Sequence, residues 1–300
     1  PLSLESIWGI SLRFPWRFWE VNPLQFRGLR FPVNNMFYNL EKVEKGMAVL
    51  GNNKDTMKLE NRRQVLGLIR QQPLSRASLA KETGLTQSAI GNMVGDLLQV
   101  GILRETQSFP EEISPGRKPI LLDLVPSWKT AVGVSIDREG FEVGLVDLRG
   151  KIVGDTVSLP YQDNPEGALD LIAQTVNSLL SRYKLCEGMV LGVGAIAPGP
   201  VNANQGVILN PPRFESWHKF PLRDELGRRL PFPVYVEHNA SAMARAQLDS
   251  GVPYRSFALL IINDGIGLGL ALDGNVYMGA NGLGCELGHT SIDLHGRPCA

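Results

Sequence analysis

Thr130-Ala-Val-Gly-Val-Ser-Ile-Asp137 is followed closely by Gly140-Phe-Glu-Val-Gly-Leu-Val-Asp147 and then by Lys151-Ile-Val-Gly-Asp-Thr-Val157. Each run is short, rich in Val with Ile, Leu or Phe, and bounded by Asp, Gly or Arg. That pattern reads as three consecutive β-strands joined by tight turns. Glu166–Tyr183 then takes a helical period, and Gly188–Ala195 returns to a strand. The order strand, strand, strand, helix, strand makes this an α/β domain. Further on, Pro221–Leu230 reads as a helix, and Val234–His238 is a strand entering a helix over Asn239–Asp249. Phe257–Leu272 supplies two more strands, with a hairpin at Asp273-Gly-Asn275, where Asp-Gly tolerates the positive φ angles of a short turn.

Toward the amino terminus the periods are helical. Leu59, Val65, Leu66, Leu68 and Ile69 form one apolar face of a helix over Glu60–Gln72, which Pro73 ends. Ser75–Gly84 is a second, short helix with Ser75 as N-cap and Gly84 in the turn after it. Thr86–Val100 is a third, capped by Thr86, with Ile90, Met93, Val94, Leu97 and Leu98 as its buried stripe. Two helices around a Gly84-Leu85 turn have helix-turn-helix spacing. The strands read at Gly101–Glu105 and Gly116–Leu124 complete a winged helix. The exposed candidates on the third helix are Gln87, Ser88 and Asn92, since Gln and Asn can bond adenine edges. Arg76, Lys81, Arg104, Arg117 and Lys118 would hold phosphates and set register. The competing reading is a helical packing module that touches no DNA, because the third helix has no Lys or Arg.

Charge supports a division of labour. Lys58–Lys118 holds 9 Lys+Arg against 6 Asp+Glu, a net of +3, whereas Pro119–Ala300 holds 14 against 19, a net of −5. A basic front and an acidic back suit nucleic-acid binding by the front alone. The three cysteines (Cys186, Cys285 and Cys299) cannot build a disulfide framework, which points to a reducing, cytoplasmic setting. No apolar run has the length of a membrane span. Pro1–Asn53 is rich in Phe, Trp and Pro without a regular period. The sequence opens on Pro1, and Met47 and Met57 are both candidate starts. The expected division is therefore an unassigned extension over 1–56, a winged helix-turn-helix over 57–118 and a ligand domain over 119–300.

The ligand domain closes on Gly282-Leu-Gly-Cys-Glu-Leu-Gly-His-Thr-Ser-Ile-Asp-Leu-His-Gly-Arg-Pro-Cys299. Glu286 can accept hydrogen bonds from two neighbouring sugar hydroxyls, and His289 can bond a third. The alternative is a surface loop with an incidental His and Cys. The pattern E-x-G-H followed by D-x-x-G-x-x-C resembles the signature of the ROK family, which comprises repressors, open reading frames and sugar kinases. The stretches SRASLAKETGLTQSAI and GRKPILLDL resemble the amino-terminal domain of that family's repressors. The likeness spans roughly Met57 to Ala300 and implies a winged helix-turn-helix joined to an actin-like ATPase and sugar-kinase fold.

That resemblance carries further expectations. It implies that Glu286 and His289 contact a sugar, with His238 and Asn239 as further polar partners. It implies a structural zinc on His289 and three cysteines, of which only Cys299 can be matched, so the sequence is read as cut within the motif. Catalysis is not expected. The family's first phosphate turn, D-x-G-G-T, is matched here by Ser135, Asp137, Arg138 and Glu139. The second, G-T-G-x-G-x-G, is matched by Asn263-Asp264-Gly265-Ile-Gly267-Leu-Gly269, whose plain alternative is a tight turn between strands. Two carboxylates in the first turn and one in the second stand where phosphate oxygens would sit, and like charges repel. The family's E-N-D-A-N-A stretch is Glu237-His-Asn-Ala-Ser-Ala242, so Asn239 replaces the Asp that would act as base. The Ala195–Val201 turn resembles the family's G-x-P-G-P loop, and Asn210–Trp217 resembles its L-N-x-P-N-x-x-x-W loop with Arg213 in place of the second Asn. The resulting expectation is a sugar-responsive repressor, dimeric or a higher homo-oligomer, that binds operator DNA. The alternatives are a sugar kinase, or a DNA-binding protein whose ligand domain is a relic.

Overall fold

The computed structural model describes residues 53–107, 119–262, 265–279 and 283–296. Most of the extension expected over 1–56, together with Arg117, Lys118, Asn263, Asp264 and Cys299, lies outside them.

The amino-terminal unit begins with α1 (Asn53–Gln71), which starts earlier than its apolar period suggested and buries Val65, Leu66 and Ile69. After β1 (Leu74–Ser75), helix α2 (Arg76–Thr83) is capped by the Ser75 hydroxyl, which accepts from Ser78 N–H at 3.1 Å. Gly84 ends it in the left-handed conformation, φ 71°, where a Cβ would be strained. Helix α3 (Gln87–Val100) repeats the device, with Thr86 accepting from Ala89 N–H at 3.2 Å and Gly101 at φ 85°. Because Gly101 serves as the C-cap, the following strand β2 starts only at Leu103 and runs to Gln107. It pairs antiparallel with β3 (Ile120–Leu124), in register from Leu103↔Leu124 to Gln107↔Ile120, and β1 adds to the far edge of β3. This sheet reaches Leu124, past the boundary expected at 118/119.

The second unit is built on a five-stranded sheet, beside a two-stranded one made of β8 (Val201–Asn202) and β9 (Val207–Ile208). Strands β4 (Thr130–Asp137) and β5 (Gly140–Val146) form a hairpin, and β6 (Val157–Pro160) extends it. Strands β7 (Val190–Ala197) and β10 (Val234–His238) join β4 in parallel, in the order β10-β7-β4-β5-β6. The third strand expected at Lys151–Val157 is displaced. The run's interior makes only an isolated bridge, Ile152 to Val146 with Val153 N–H donating to Leu145 O at 2.8 Å, and regular pairing starts at Val157. Gly154 explains this, for it turns left-handed (φ 73°) beneath the Tyr183 ring, whose hydroxyl accepts from Asp155 N–H at 3.2 Å.

One face of this sheet is covered by α4 (Pro165–Arg182) and α5 (Leu222–Arg229), which bury Leu169, Ile172, Val176, Leu222 and Leu226. An aromatic group of Phe141, Tyr161, Phe214, Trp217 and Phe220 closes that core, with ring centroids 5.2–6.0 Å apart. The other face carries Ala131, Val146, Leu191 and Ile196. These merge with Ile69, Leu79, Ile90, Val94 and Leu97 of the amino-terminal helices into a second core. The Trp128 indole donates to Val100 O at 2.9 Å and stitches the two units together.

Helix α6 (Asn239–Asp249) leaves β10 and lies against β12 (Ile266–Leu272), which pairs with β11 (Phe257–Ile262) and β13 (Asn275–Val276). The β12–β13 turn is the two-residue Asp273-Gly274 loop anticipated from sequence, with both residues at positive φ (50° and 81°). The approach of α6 to β12 depends on missing side chains. A Cβ on Gly269 would sit 2.2 Å from Ala240 O and 2.8 Å from Ala244 Cβ. Gly269→Ala is expected to push α6 off the sheet and cost about 1–3 kcal/mol, the usual range for overpacking. Chemical denaturation of the full chain measures this, and unchanged stability would contradict the close approach.

Candidate functional site

Two of the sequence-predicted ligand residues, His238 and Asn239, meet at the start of α6. His238 is the last residue of β10 and Asn239 the first of α6. The Asn239 side-chain oxygen accepts from Ala240 N–H at 2.7 Å, which fixes its orientation. The turn after β7 lies against them, since a Cβ on Gly199 would come within 2.7 Å of His238 Nε2, and the Gly199–Pro200 peptide is cis. The Glu286–His289 segment packs on strand β12. A Cβ on Gly288 would meet Ile266 O at 2.4 Å, and Gly267 of the same strand would place its Cβ 3.5 Å from Ala240 Cβ. Strand β12 therefore links the two halves of the expected site. Glu286 and His289 are exposed, each at an end of a short 3-10 turn (Leu287–His289) in which His289 N–H bonds Glu286 O at 3.1 Å.

His238 is set apart electrostatically. Burial pushes its pKa from the ordinary 6.5 down to about 4. The imidazole is neutral near pH 7, with one donor and one acceptor nitrogen, and is a weaker base than a solvated histidine. The buried Glu237 before it is held by Arg245 of α6 at 3.1 Å, an ion pair with both side chains at most 15% exposed. Sequence reasoning did not single out Arg245, although its place two turns along α6 beside an acidic strand end was available as a signal.

The first expected phosphate turn is a tight hairpin. Asp137 pairs with Gly140 across the two-residue loop Arg138-Glu139. The Asp137 carboxylate accepts from Arg138 N–H at 2.6 Å, and the Arg138 guanidinium donates twice to Pro212 O at 2.8 and 3.0 Å. Arg138 thus fastens this hairpin to the Asn210–Trp217 loop. The loop is anchored by the fully buried Phe214 and Trp217, with Arg213 at φ 56°. In the second turn, Gly267 and Gly269 lie inside β12, not in a turn between strands. The missing side chain of Gly269 admits α6, which accounts for it without any phosphate, while a Cβ on Gly267 would make only ordinary contact with Ala240.

His289 and Cys299 are two of the four ligands a structural zinc wants. Cys299 lies outside the described residues, and among the described residues no three His, Cys, Asp or Glu side chains are grouped to hold a metal ion. These residues do not make a zinc site by themselves.

On the amino-terminal unit, Gln87, Ser88 and Asn92 are exposed along α3. Ser88 lies 3.2 Å from the capping Thr86 hydroxyl. Arg76 pairs with Glu105 at 2.8 Å and Arg104 with Asp123 at 3.0 Å, so two of the expected phosphate contacts already have carboxylate partners.

A model of the ROK family matches residues 131–300. The chain belongs to the ROK family. The xylose repressor of Bacillus spizizenii is 25% identical over 235 residues, covering 78% of this chain and 60% of that protein. The glucokinase of Thermotoga maritima is 30% identical over 170 residues, covering 56% and 52%. A crystal structure of a ROK family transcriptional regulator, described as a homologue of the E. coli Mlc protein, superposes with a TM-score of 0.66 at 26% identity, covering 81% of this chain and 62% of that one. The chain thus spans about 60% of the length of the repressors it matches. Repressors of the xylose, Mlc and NagC types are among its relatives, and its α/β fold is the actin-like sugar-kinase fold of the family. No helix among the described residues is long and apolar enough to cross a membrane.

The depressed His238 pKa has a signed consequence. Between pH 6.5 and about 4 the unfolded chain binds a proton at this position that the folded chain does not. Stability contributed by neutral His238 is present above that window and lost as pH falls through it, by up to about 3 kcal/mol. His238→Gln is expected to flatten that part of the stability–pH curve, measured by urea denaturation above and inside the window.

Proposed function

We propose that this ROK protein is a sugar-responsive transcriptional repressor of carbohydrate genes. In this reading α1, α2, α3 and the β1-β3-β2 sheet are a winged helix-turn-helix. Helix α3 enters the major groove, with Gln87, Ser88 and Asn92 facing bases. Arg76, Arg117 and Lys118 hold phosphates, Arg76 by exchanging Glu105 for DNA. The protein acts as a dimer or higher homo-oligomer, which places two copies of α3 about one helical turn apart on the operator. The ligand is a small sugar at His238, Asn239, Glu286 and His289. Occupancy changes operator affinity by favouring one arrangement of the two units, and only to the extent that the sugar binds one arrangement more tightly.

The observation that carries this reading is Asn239 at the head of α6. It keeps a hydrogen-bonding amide at the sugar end of the helix but has no useful basicity. General-base catalysis, ordinarily about 10²–10⁴-fold, is absent. Sugar recognition is retained and turnover is not, which suits a sensor.

The glucokinase relationship favours one alternative, an ATP-dependent sugar kinase. Coupled-assay ATP turnover with D-glucose separates the two, and hexose-dependent turnover would replace the repressor reading.

The direct test is binding of the full chain to duplex DNA, titrated with a panel of sugars at fixed ionic strength, because phosphate contacts make affinity steeply salt-dependent. One sugar is expected to change the affinity severalfold or more. Gln87→Ala and Asn92→Ala should each cost about 1–3 kcal/mol and relax preference at one base position. Glu286→Gln should weaken the sugar response with DNA affinity intact. DNA binding indifferent to every sugar would remove Glu286 and His289 from the sensing site.

A further inference from the structure

Helix α6 joins two places. Its first residue, Asn239, sits in the candidate sugar site, and its last, Asp249, reaches the amino-terminal unit about 15 Å away by helix rise. There the Asp249 carboxylate lies 3.0 Å from Arg70 Nη1, with the two side chains only 8% and 6% exposed. Arg70 is the penultimate residue of α1. Its backbone carbonyl accepts from Arg149 Nη1 at 2.7 Å, and the same Arg149 guanidinium pairs with Asp123 of β3. Asp123 in turn holds Arg104 of β2 at 3.0 Å. Ion pairs joined by one bond to the Arg70 backbone carbonyl therefore lead from the far end of α6 through α1 into the β1-β3-β2 sheet.

The body of α6 can transmit displacement. Arg245–Glu237 ties it to β10, and Gly269 lets β12 press directly on the Ala240 carbonyl. A shift at Asn239 is not absorbed by loose side chains along the way. The far end has room to respond. A crevice of about 210 Å³ lies beside the ion pair, lined by Gly67, Gln71, Leu248, Val252 and Tyr254. It gives the Arg70 guanidinium somewhere to go when the pair opens. A buried charge pair with adjacent space can either stay closed or open into that space, which is what a switch needs.

We propose that the Arg70–Asp249 ion pair is the joint through which sugar at the head of α6 changes the placement of α1 and the DNA-contacting helices. This rests on the sugar-responsive reading above. Arg70 and Asp249 are positioning residues, since neither touches sugar nor DNA. Closed, the pair fixes α1 to α6. A sugar-driven movement of α6 loosens or re-seats it and so alters how α3 is presented.

The test uses the full chain, D-xylose and D-glucose as probes, and a duplex selected from a random pool by the wild-type protein. Operator affinity with and without each sugar gives the coupling factor, and calorimetry gives sugar affinity separately. Wild type is expected to show a coupling factor of roughly 5- to 150-fold with one sugar, the usual range. Asp249→Asn keeps the shape but removes the charge, and its coupling factor is expected to fall close to one with sugar affinity and sugar-free DNA affinity largely kept. A merely structural residue would lower both affinities or neither. Arg70→Lys preserves the charge and is expected to retain part of the coupling; it carries the test if thermal unfolding shows Asp249→Asn to be unfolded. Wild-type coupling surviving in a folded variant overturns the joint and leaves the sensor reading intact. A wild-type protein indifferent to both sugars overturns the sensor reading and the joint with it.

Discussion

Strand β7 has no solvent on either side, and every one of its eight residues is buried. That constraint organises the molecule. A strand paired in parallel along both edges needs apolar cover above and below. Here α4 and α5 supply one cover, while the amino-terminal helices contribute to the other. With Leu191 and Ile196 facing one way and Val193, Ala195 and Ala197 the other, the two cores are separated by a single strand. The turn at its end presents Gly199 to His238, so the depth of β7 also sets the depth of the site.

Much of this was legible from residue order alone. The hydrophobic runs gave β4, β5, β7 and β10 almost in place, and Ser75, Gly84 and Thr86 marked helix ends because capping is a local matter of side chain and φ angle, whereas Gly101, read as the start of a strand, is a helix cap. The displaced β6 was not legible. Val153 and Val157 look like one strand, and only the Tyr183 ring over Gly154, from a helix much later in the chain, breaks it. Partnerships such as Arg70 with Asp249 escape for the same reason. Any arginine could serve any carboxylate until the fold selects one, and no periodicity encodes the selection.

The candidate site was readable only in part, and for a different reason. Glycines at 265, 267 and 269 invite a phosphate, yet the last is accounted for by a helix resting on a strand. A missing side chain records that something comes close without saying what. Asn239 is more informative because its chemistry is its own. An amide accepts and donates hydrogen bonds but does not take up a proton, whatever surrounds it. Arg138 was visible as an intruder in the first turn, while its grip on the Pro212 carbonyl needed the structure.

The second core has an evolutionary corollary. An amino-terminal unit acquired as a self-contained cassette would meet its host across a polar seam and could be exchanged freely. Here Ala131, Val146, Leu148 and Leu191 belong to the same buried cluster as Ile69, Ile90 and Val94. Transplanting the helices onto another sensor would leave that patch bare on both halves. The two units therefore share one interior, and chimeras between family members should be cut to carry Trp128 and the outer face of β4 and β5 with the helices.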